Sequence, residues 1–183
     1  MVVIDLGGGV APVDVEEVKS WARIARDDED ELLTLLIAAA NAAIEAEVGL
    51  VLARRPFRLI VEDRPDGGRI RPPRPPIASV DAVSGFRFDG GETVFDPARH
   101  ATLSQDGLSF VLSDQVWFES PNGVDITVTA GYAPEDVPAT AKHAMLVAVS
   151  SWFETRTEVD GGAGQIPSSG ALRLVRSLKR VRI

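Results

Sequence analysis

The chain has 183 residues, of which 45% are apolar and 25% are charged, a composition typical of a globular protein. It contains no cysteine, which excludes thiol catalysis, disulfide bonds and cysteine-ligated metal sites. No run approaches the roughly 18 consecutive apolar residues of a membrane-spanning helix, and residues 1–10 lack the basic residues of a secretory signal. We therefore expect cytoplasmic synthesis and no membrane partner.

The net charge of −8 is unevenly distributed along the chain. Residues 171–183 contain five cations and no acid, whereas the remainder has 14 basic and 27 acidic residues and a net charge of −13. A body with this charge repels nucleic acid rather than binding it. The cationic end of the chain is therefore the first candidate for a binding function.

Two amphipathic helices are predicted after an N-terminal arm at residues 1–12. Asp14 and Glu17 have the spacing of a capping box, which predicts that the first helix begins there. The acidic run at residues 27–31 opens the second helix, because negative charge is favourable at a helix N-terminus. Apolar residues then recur at helical spacing as far as Val48, and Gly49 is a natural C-terminal stop.

The following region predicts short antiparallel strands separated by turns. We expect them to form an antiparallel sheet of about five or six strands. The strand candidates are residues 57–61, 79–83, 85–88, 93–95, 108–112, 116–119 and 124–129. Asn122 and Gly123 tolerate positive φ, which predicts a hairpin turn between the last two candidates. The basic and proline-rich residues 69–76 match the pattern of a polyproline ligand, but we favour a stiff connector that leads into the strand at Ser79.

A third helix is expected after the strands, because Pro138 suits a first helical turn. We therefore predict an α+β fold. Residues 13–53 and 134–158 would form an antiparallel helical core, and residues 54–133 an inserted antiparallel β-rich region. Residues 159–183 would form a Gly-rich linker and an extended basic C-terminal tail.

No catalytic, cofactor-binding or metal-binding site is predicted. His100 and His143 lie in different elements, and neither has a second histidine at ligand spacing. The acidic residues 27–31 are consecutive and lack the central glycine of a calcium loop, so they indicate a solvated helix start. We expect that the protein is not an enzyme. A small hydrolase with paired carboxylates would need a polar pocket that the sequence does not designate.

The cationic C-terminal segment is the predicted docking site. It could bind nucleic acid, bind an anionic membrane or dock on a partner protein. It lacks aromatic residues on which bases stack, so docking is favoured, and a small DNA-binding or regulatory protein is the alternative. The predicted docking residues are Leu172, Arg173, Leu174, Arg176, Leu178, Lys179, Arg180 and Arg182.

The order of segments between residues 13 and 156 resembles that of phage head-tail connector proteins. Residues 13–24 resemble the family's opening helix, and residues 27–40 resemble its second helix with an acidic start. Residues 71–80, 124–132 and 136–145 follow in the family's order, and residues 151–154 resemble the segment in which similar proteins carry a Trp/Tyr-Glu pair. The N-terminal arm and the linker and tail depart from the family pattern.

The resemblance implies a structural adaptor that forms a ring of about twelve copies beneath the portal. It implies a stopper or tail-side neck protein on the other side, with double-stranded DNA passing through the lumen without sequence-specific binding. The expected location is the neck of a virion or gene transfer particle, after synthesis in the cytoplasm of a bacterial host. The basic tail would be disordered in the free protein and would dock on the portal.

Overall fold

The structure, a computed structural model, describes residues 1–155 and 169–178. The chain divides into two compact units. The sheet unit comprises residues 1–10 and 54–132, and the helical unit comprises residues 11–53 and the residues from 133 onward. The combination of helices with antiparallel strands confirms the predicted α+β class.

The described strands and helices follow one another in a mixed order. They are β1 (Val2–Asp5), α1 (Val15–Ala22), α2 (Asp30–Val48), β2 (Arg55–Val61), β3 (Arg69–Ile70), β4 (Ile77–Phe86), β5 (Glu92–Phe95), α3 (Pro97–His100), β6 (Ala101–Leu103), β7 (Phe110–Leu112), α4 (Asp114–Glu119), β8 (Val124–Ala130), α5 (Ala139–Thr155) and α6 (Ser169–Val175). Two short 3-10 turns lie at Asp66–Gly68 and Arg176–Leu178.

The two N-terminal helices begin where the sequence predicts. The Asp14 carboxylate accepts a hydrogen bond from the backbone N–H of Glu17 at 2.8 Å, and the Glu17 carboxylate accepts one from the N–H of Asp14 at 3.0 Å. This reciprocal capping box satisfies two backbone donors that would otherwise lack partners. α2 begins at Asp30, within the acidic run, and Gly49 ends it in the left-handed conformation with a φ of 71°.

Lys19 connects α1 to the residues that start α2. Its side chain is buried, and its ammonium group donates hydrogen bonds to the carboxylates of Asp27 and Asp30, the latter at 3.0 Å. These hydrogen bonds raise the pKa of Lys19 above its usual value. The contribution of the Lys19 charge to folding stability is therefore fully present below the usual lysine pKa, and it is lost as the pH rises through the raised pKa of Lys19. Part of the acidic run thus holds the two helices together.

A buried carboxylate fixes the segment that follows α2. Glu45 is 1% exposed, and its Oε1 accepts hydrogen bonds from the backbone N–H of Leu52 at 2.6 Å and of Ala53 at 3.1 Å. Residues 50–53 are buried beyond the end of the helix, so their N–H groups need acceptors other than the helix backbone. Glu45 supplies that acceptor for two of them.

Replacement of Glu45 tests this role. Glu45→Ala is expected to lower the free energy of unfolding by about 1–3 kcal/mol for each buried N–H left without an acceptor. The exposed Glu135 provides the control, and Glu135→Ala should change stability by no more than about 0.5 kcal/mol. Urea denaturation followed by circular dichroism measures both. Equal stability of the two variants would contradict the structural role of Glu45.

The sheet unit is built on a five-stranded antiparallel sheet with the strand order β1-β2-β8-β4-β5. β8 lies at its centre and pairs along its length with β2 and β4. Alternate residues of β8 are buried, namely Val124, Ile126, Val128 and Ala130. A slip of one residue would turn this apolar set to the opposite face, so the alternation fixes the register. The candidates at residues 79–83 and 85–88 merge into the single strand β4, which ends at Phe86, so residues 87 and 88 lie in the turn after it.

The N-terminal arm contributes an edge strand to this sheet. β1 pairs antiparallel with β2, from Val2 opposite Ile60 to Asp5 opposite Phe57. The guanidinium of Arg55 also donates to the carboxylate of Asp5 at 2.8 Å. The first residues of the chain are therefore tied to the sheet by backbone pairing and by an ion pair.

A second sheet and a helix replace part of the predicted single sheet. The second sheet has the strand order β3-β7-β6. Residues 116–119, predicted as a strand, belong to α4, so the predicted hairpin turn at Asn122 and Gly123 is wrong. These two residues connect α4 to β8. Gly123 does have a positive φ of 95°, and a Cβ there would lie 2.8 Å from the carbonyl oxygen of Val61.

A close contact between Ser120 and Gly85 joins the end of α4 to β4. Ser120 is 2% exposed. A Cβ added to Gly85 would overlap the Oγ of Ser120 and would lie 2.9 Å from Cε2 of Phe95. Both neighbours are held by surrounding structure, because Phe95 is also buried. Glycine is therefore required at this position by space rather than by backbone conformation.

Gly85→Ala tests this requirement. The extra methyl group is expected to lower the free energy of unfolding by about 1–3 kcal/mol, since the buried neighbours cannot move freely. Gly91→Ala is the matched control, because its methyl group would meet only the side chain of Arg87, which is exposed and flexible. Thermal melts of the two variants should differ clearly, and identical melting temperatures would show that β4 and Ser120 can separate without cost.

Candidate partner-docking surface

The residues predicted to dock begin in α6 and in the 3-10 turn that follows it. Arg173 and Leu174 lie in α6, and Arg176 and Leu178 lie in the turn. Leu172 also lies in α6, but its side chain falls outside the described part of the structure. Lys179, Arg180 and Arg182 fall outside it as well.

α6 packs against α5 and α2 within the helical unit. Ala171 and Val175 are four residues apart, which places them on one face of the helix, and both are completely buried. Arg173 and Arg176 are exposed, and Leu174 is half-buried. The two exposed arginines are therefore presented at the surface by a packed helix and by the turn that follows it.

The prediction of an extended tail is wrong for residues 169–178. A helix as short as α6 is marginal alone in water, but burial of Ala171 and Val175 provides the tertiary packing that stabilises it. The expectation of a tail disordered until it meets a partner is wrong for the same residues. Residues 159–168 and 179–183 of the predicted linker and tail lie outside the described part of the structure, and the correction does not concern them.

The packing of α6 can be tested at Val175. Val175→Ala is expected to lower the free energy of unfolding by about 1–3 kcal/mol through lost burial and a new cavity. The exposed Arg173 is the control, and Arg173→Ala should have an effect of no more than about 0.5 kcal/mol. Chemical denaturation of both variants provides the measurement. If Val175→Ala is as stable as the wild type, α6 does not pack in solution.

The two histidines serve packing and hydrogen bonding. His143 is exposed on α5 and meets the ring of Trp21 edge-on, with 5.2 Å between ring centroids. His100 is half-buried, and its Nδ1 lies 2.9 Å from the Oγ of Ser113.

Within the described residues, no three acidic or histidine side chains come together in a way that could hold a metal ion. No helix in these parts of the chain is long and apolar enough to cross a membrane.

Sequence reasoning missed a second exposed surface, in the sheet unit. Phe118 on α4 is 88% exposed, and Phe88 in the turn between β4 and β5 is 82% exposed. The sequence does not identify Phe118 as exposed, because the pattern of residues 116–119 predicts a strand. Ser113 followed by Asp114 was the available signal, since this pair is typical of a helix start.

Comparison with known proteins finds one matching family model and several solved structures with a similar fold. Residues 12–92 match the model of the phage gp6-like head-tail connector protein family. A chain in the neck of an empty gene transfer agent (GTA) particle, computed with C6 symmetry, is 25% identical with a TM-score of 0.78. A chain in the virion of a native GTA particle is 23% identical with a TM-score of 0.78. A chain in the neck of a native GTA particle, computed with C12 symmetry, is 23% identical with a TM-score of 0.76.

Each of these three likenesses covers 100% of this chain and 97% of the other chain. Among curated proteins, none matches the chain significantly. The structural likeness therefore includes the sheet unit beyond residue 92 and the helices α5 and α6, which the family model does not reach.

Proposed function

We propose that this chain, whose residues 12–92 match the model of the phage gp6-like head-tail connector protein family, is the adaptor subunit in the neck of a phage-like or gene transfer particle. The observation that carries the proposal is the full-length likeness to a GTA neck chain, with 25% identity and a TM-score of 0.78. The role is structural, and no catalytic step is part of the proposal.

The proposed adaptor assembles as a closed ring of about twelve copies around the particle axis. Support comes from the C6 and C12 symmetry with which the necks containing similar chains were computed. The net charge of −13 outside residues 171–183 opposes close packing of free copies. We therefore expect the ring to form on the portal, which acts as a template, rather than in free solution.

The proposed contact with the portal is made by the C-terminal residues. Arg173 and Arg176 are exposed beside the half-buried Leu174 and Leu178, a combination suited to a groove with carboxylates at its rim. Lys179, Arg180 and Arg182 extend the same cationic segment. A stopper or tail-side neck protein would bind elsewhere on the ring.

Double-stranded DNA passes through the proposed ring, and the acidic body keeps it from adhering to the wall.

The alternative function is a small DNA-binding or regulatory protein that uses the basic C-terminal residues. Binding of the isolated protein to duplex DNA, weakening steeply as salt rises, would favour that alternative. Fluorescence anisotropy of labelled duplex at two salt concentrations distinguishes the two functions.

Removal of residues 179–183 tests the contact with the portal. The truncated chain retains α6, so its melting temperature should stay within a few degrees of the wild type. In cells that lack the wild-type gene, it is expected not to attach to portal-bearing heads, because three of the five cations of the tail are lost. The double substitution Arg173→Glu with Arg176→Glu should act in the same direction.

Purified heads are compared by immunoblot for this chain and by electron microscopy. Arg99 supplies a control for charge reversal, since its side chain is 82% exposed in the sheet unit, and Arg99→Glu should attach normally. Normal attachment of the truncated chain would refute portal docking by the tail. Absence of the wild-type chain from purified particles would instead refute the adaptor function itself.

A further inference from the structure

Three segments of the sheet unit meet at one end of the five-stranded sheet. Val61, Val124 and Gly85 are aligned across β2, β8 and β4 at this end. The loop after β2, the turn between β4 and β5, and α4 with the residues leading to β8 therefore lie together. We name residues 62–66, 87–92 and 114–121 the acidic aromatic end.

Direct contacts hold these segments to one another. The Arg64 guanidinium forms an ion pair with Asp114 at 2.6 Å, which joins the loop after β2 to α4. The side-chain amide of Asn122 donates to the carbonyl oxygen of Arg87 at 2.8 Å, which joins the β4–β5 turn to the residues after α4. The acidic aromatic end is thus one continuous surface on a fixed backbone.

This surface exposes apolar rings to water. Phe118 is 88% exposed and Phe88 is 82% exposed, although phenylalanine is usually buried. An open cleft of about 510 Å³ lies beside Phe118 and is also lined by Glu62, Arg64, Asp114, Trp117 and Pro121. Rigid aromatic side chains beside a cleft are typical of the energetic centre of a protein–protein interface.

Strong negative charge surrounds these rings. The acidic aromatic end contains seven acidic residues and two arginines, a net charge of −5. Both arginines already contact acids of the same surface, Arg64 with Asp114 and Arg87 with Asp89. The carboxylates of Glu62, Asp63, Asp66 and Glu92 are exposed and are therefore accessible to cations from outside.

The negative charge of the acidic aromatic end determines which kind of partner can bind there. DNA and anionic membranes are repelled by a surface of this sign. The body of a second copy is a poor match for this particular surface, because the chain outside residues 171–183 has 14 basic and 27 acidic residues. The one cationic segment of the chain is occupied by the portal in the proposed function. The complementary occupant is another protein whose contact surface is basic and apolar.

We propose that the acidic aromatic end docks the tail-side neck protein, through a surface of that protein on which lysine or arginine side chains surround apolar ones. This inference rests on the proposed adaptor function. Phe118 and Phe88 insert among the apolar side chains of the partner, and Glu62 and Asp63 pair with its cations.

Two variants separate the apolar from the electrostatic contribution. One is Phe88→Ser with Phe118→Ser, and the other is Glu62→Lys with Asp63→Lys. Their matched controls are Val94→Ser, at a side chain that is 75% exposed on β5, and Glu135→Lys with Asp136→Lys on the exposed surface of the helical unit. All substituted side chains are at the surface, so unchanged melting temperatures verify that each variant folds.

Each variant replaces the wild-type gene in a particle-producing strain, and heads and complete particles are counted by electron microscopy. We expect wild-type amounts of both variants on heads, but a loss of at least about tenfold in tailed particles, as for removal of an interface hot spot. The two controls should give wild-type numbers of tailed particles.

Wild-type numbers of tailed particles from both variants would overturn the proposal. Loss of the variants from the heads would also overturn it, since the surface would then serve the portal or a neighbouring copy. Failure to find even the wild-type chain on heads would refute the adaptor function, which is a separate outcome from the other two.

Discussion

The pairing of β8 with both β2 and β4 is the interaction on which the sheet unit depends. β8 lies more than sixty residues along the chain from β2, so its docking closes a long loop at an entropic cost. Two full ladders and one buried apolar face offset that cost. Without β8, the other strands of this sheet would remain as the pairs β1–β2 and β4–β5, and an isolated two-stranded pair is marginally stable in water.

The features that sequence predicted well are those that a few neighbouring residues decide. Asp14 and Glu17 contain a whole capping box within four positions, and Gly49 ends α2 through its own backbone freedom. The strand predicted at residues 124–129 is present as β8, where apolar and polar residues alternate along the sequence. In each case the physical cause lies inside the predicted segment.

The features that sequence missed depend on partners far along the chain. β1 is a strand because β2 offers an unpaired edge, which residues 1–12 alone do not reveal. The segment at residues 116–119 has the composition of a strand but forms α4 and leaves Phe118 in solvent. The sequence alone shows that the docking segment is cationic and aliphatic. It does not show that Ala171 and Val175 are buried, because that burial depends on packing against α2 and α5.

The packing of α6 limits the distance over which the C-terminal residues can reach. A free tether counted from residue 159 would contain 25 residues and could span up to roughly 90 Å when extended. The five residues from Lys179 to Ile183 span at most roughly 18 Å. A site that receives Lys179 to Ile183 must therefore lie within roughly 18 Å of the helical unit. In the proposed assembly, such a short reach would place the helical unit of the adaptor almost in contact with the portal.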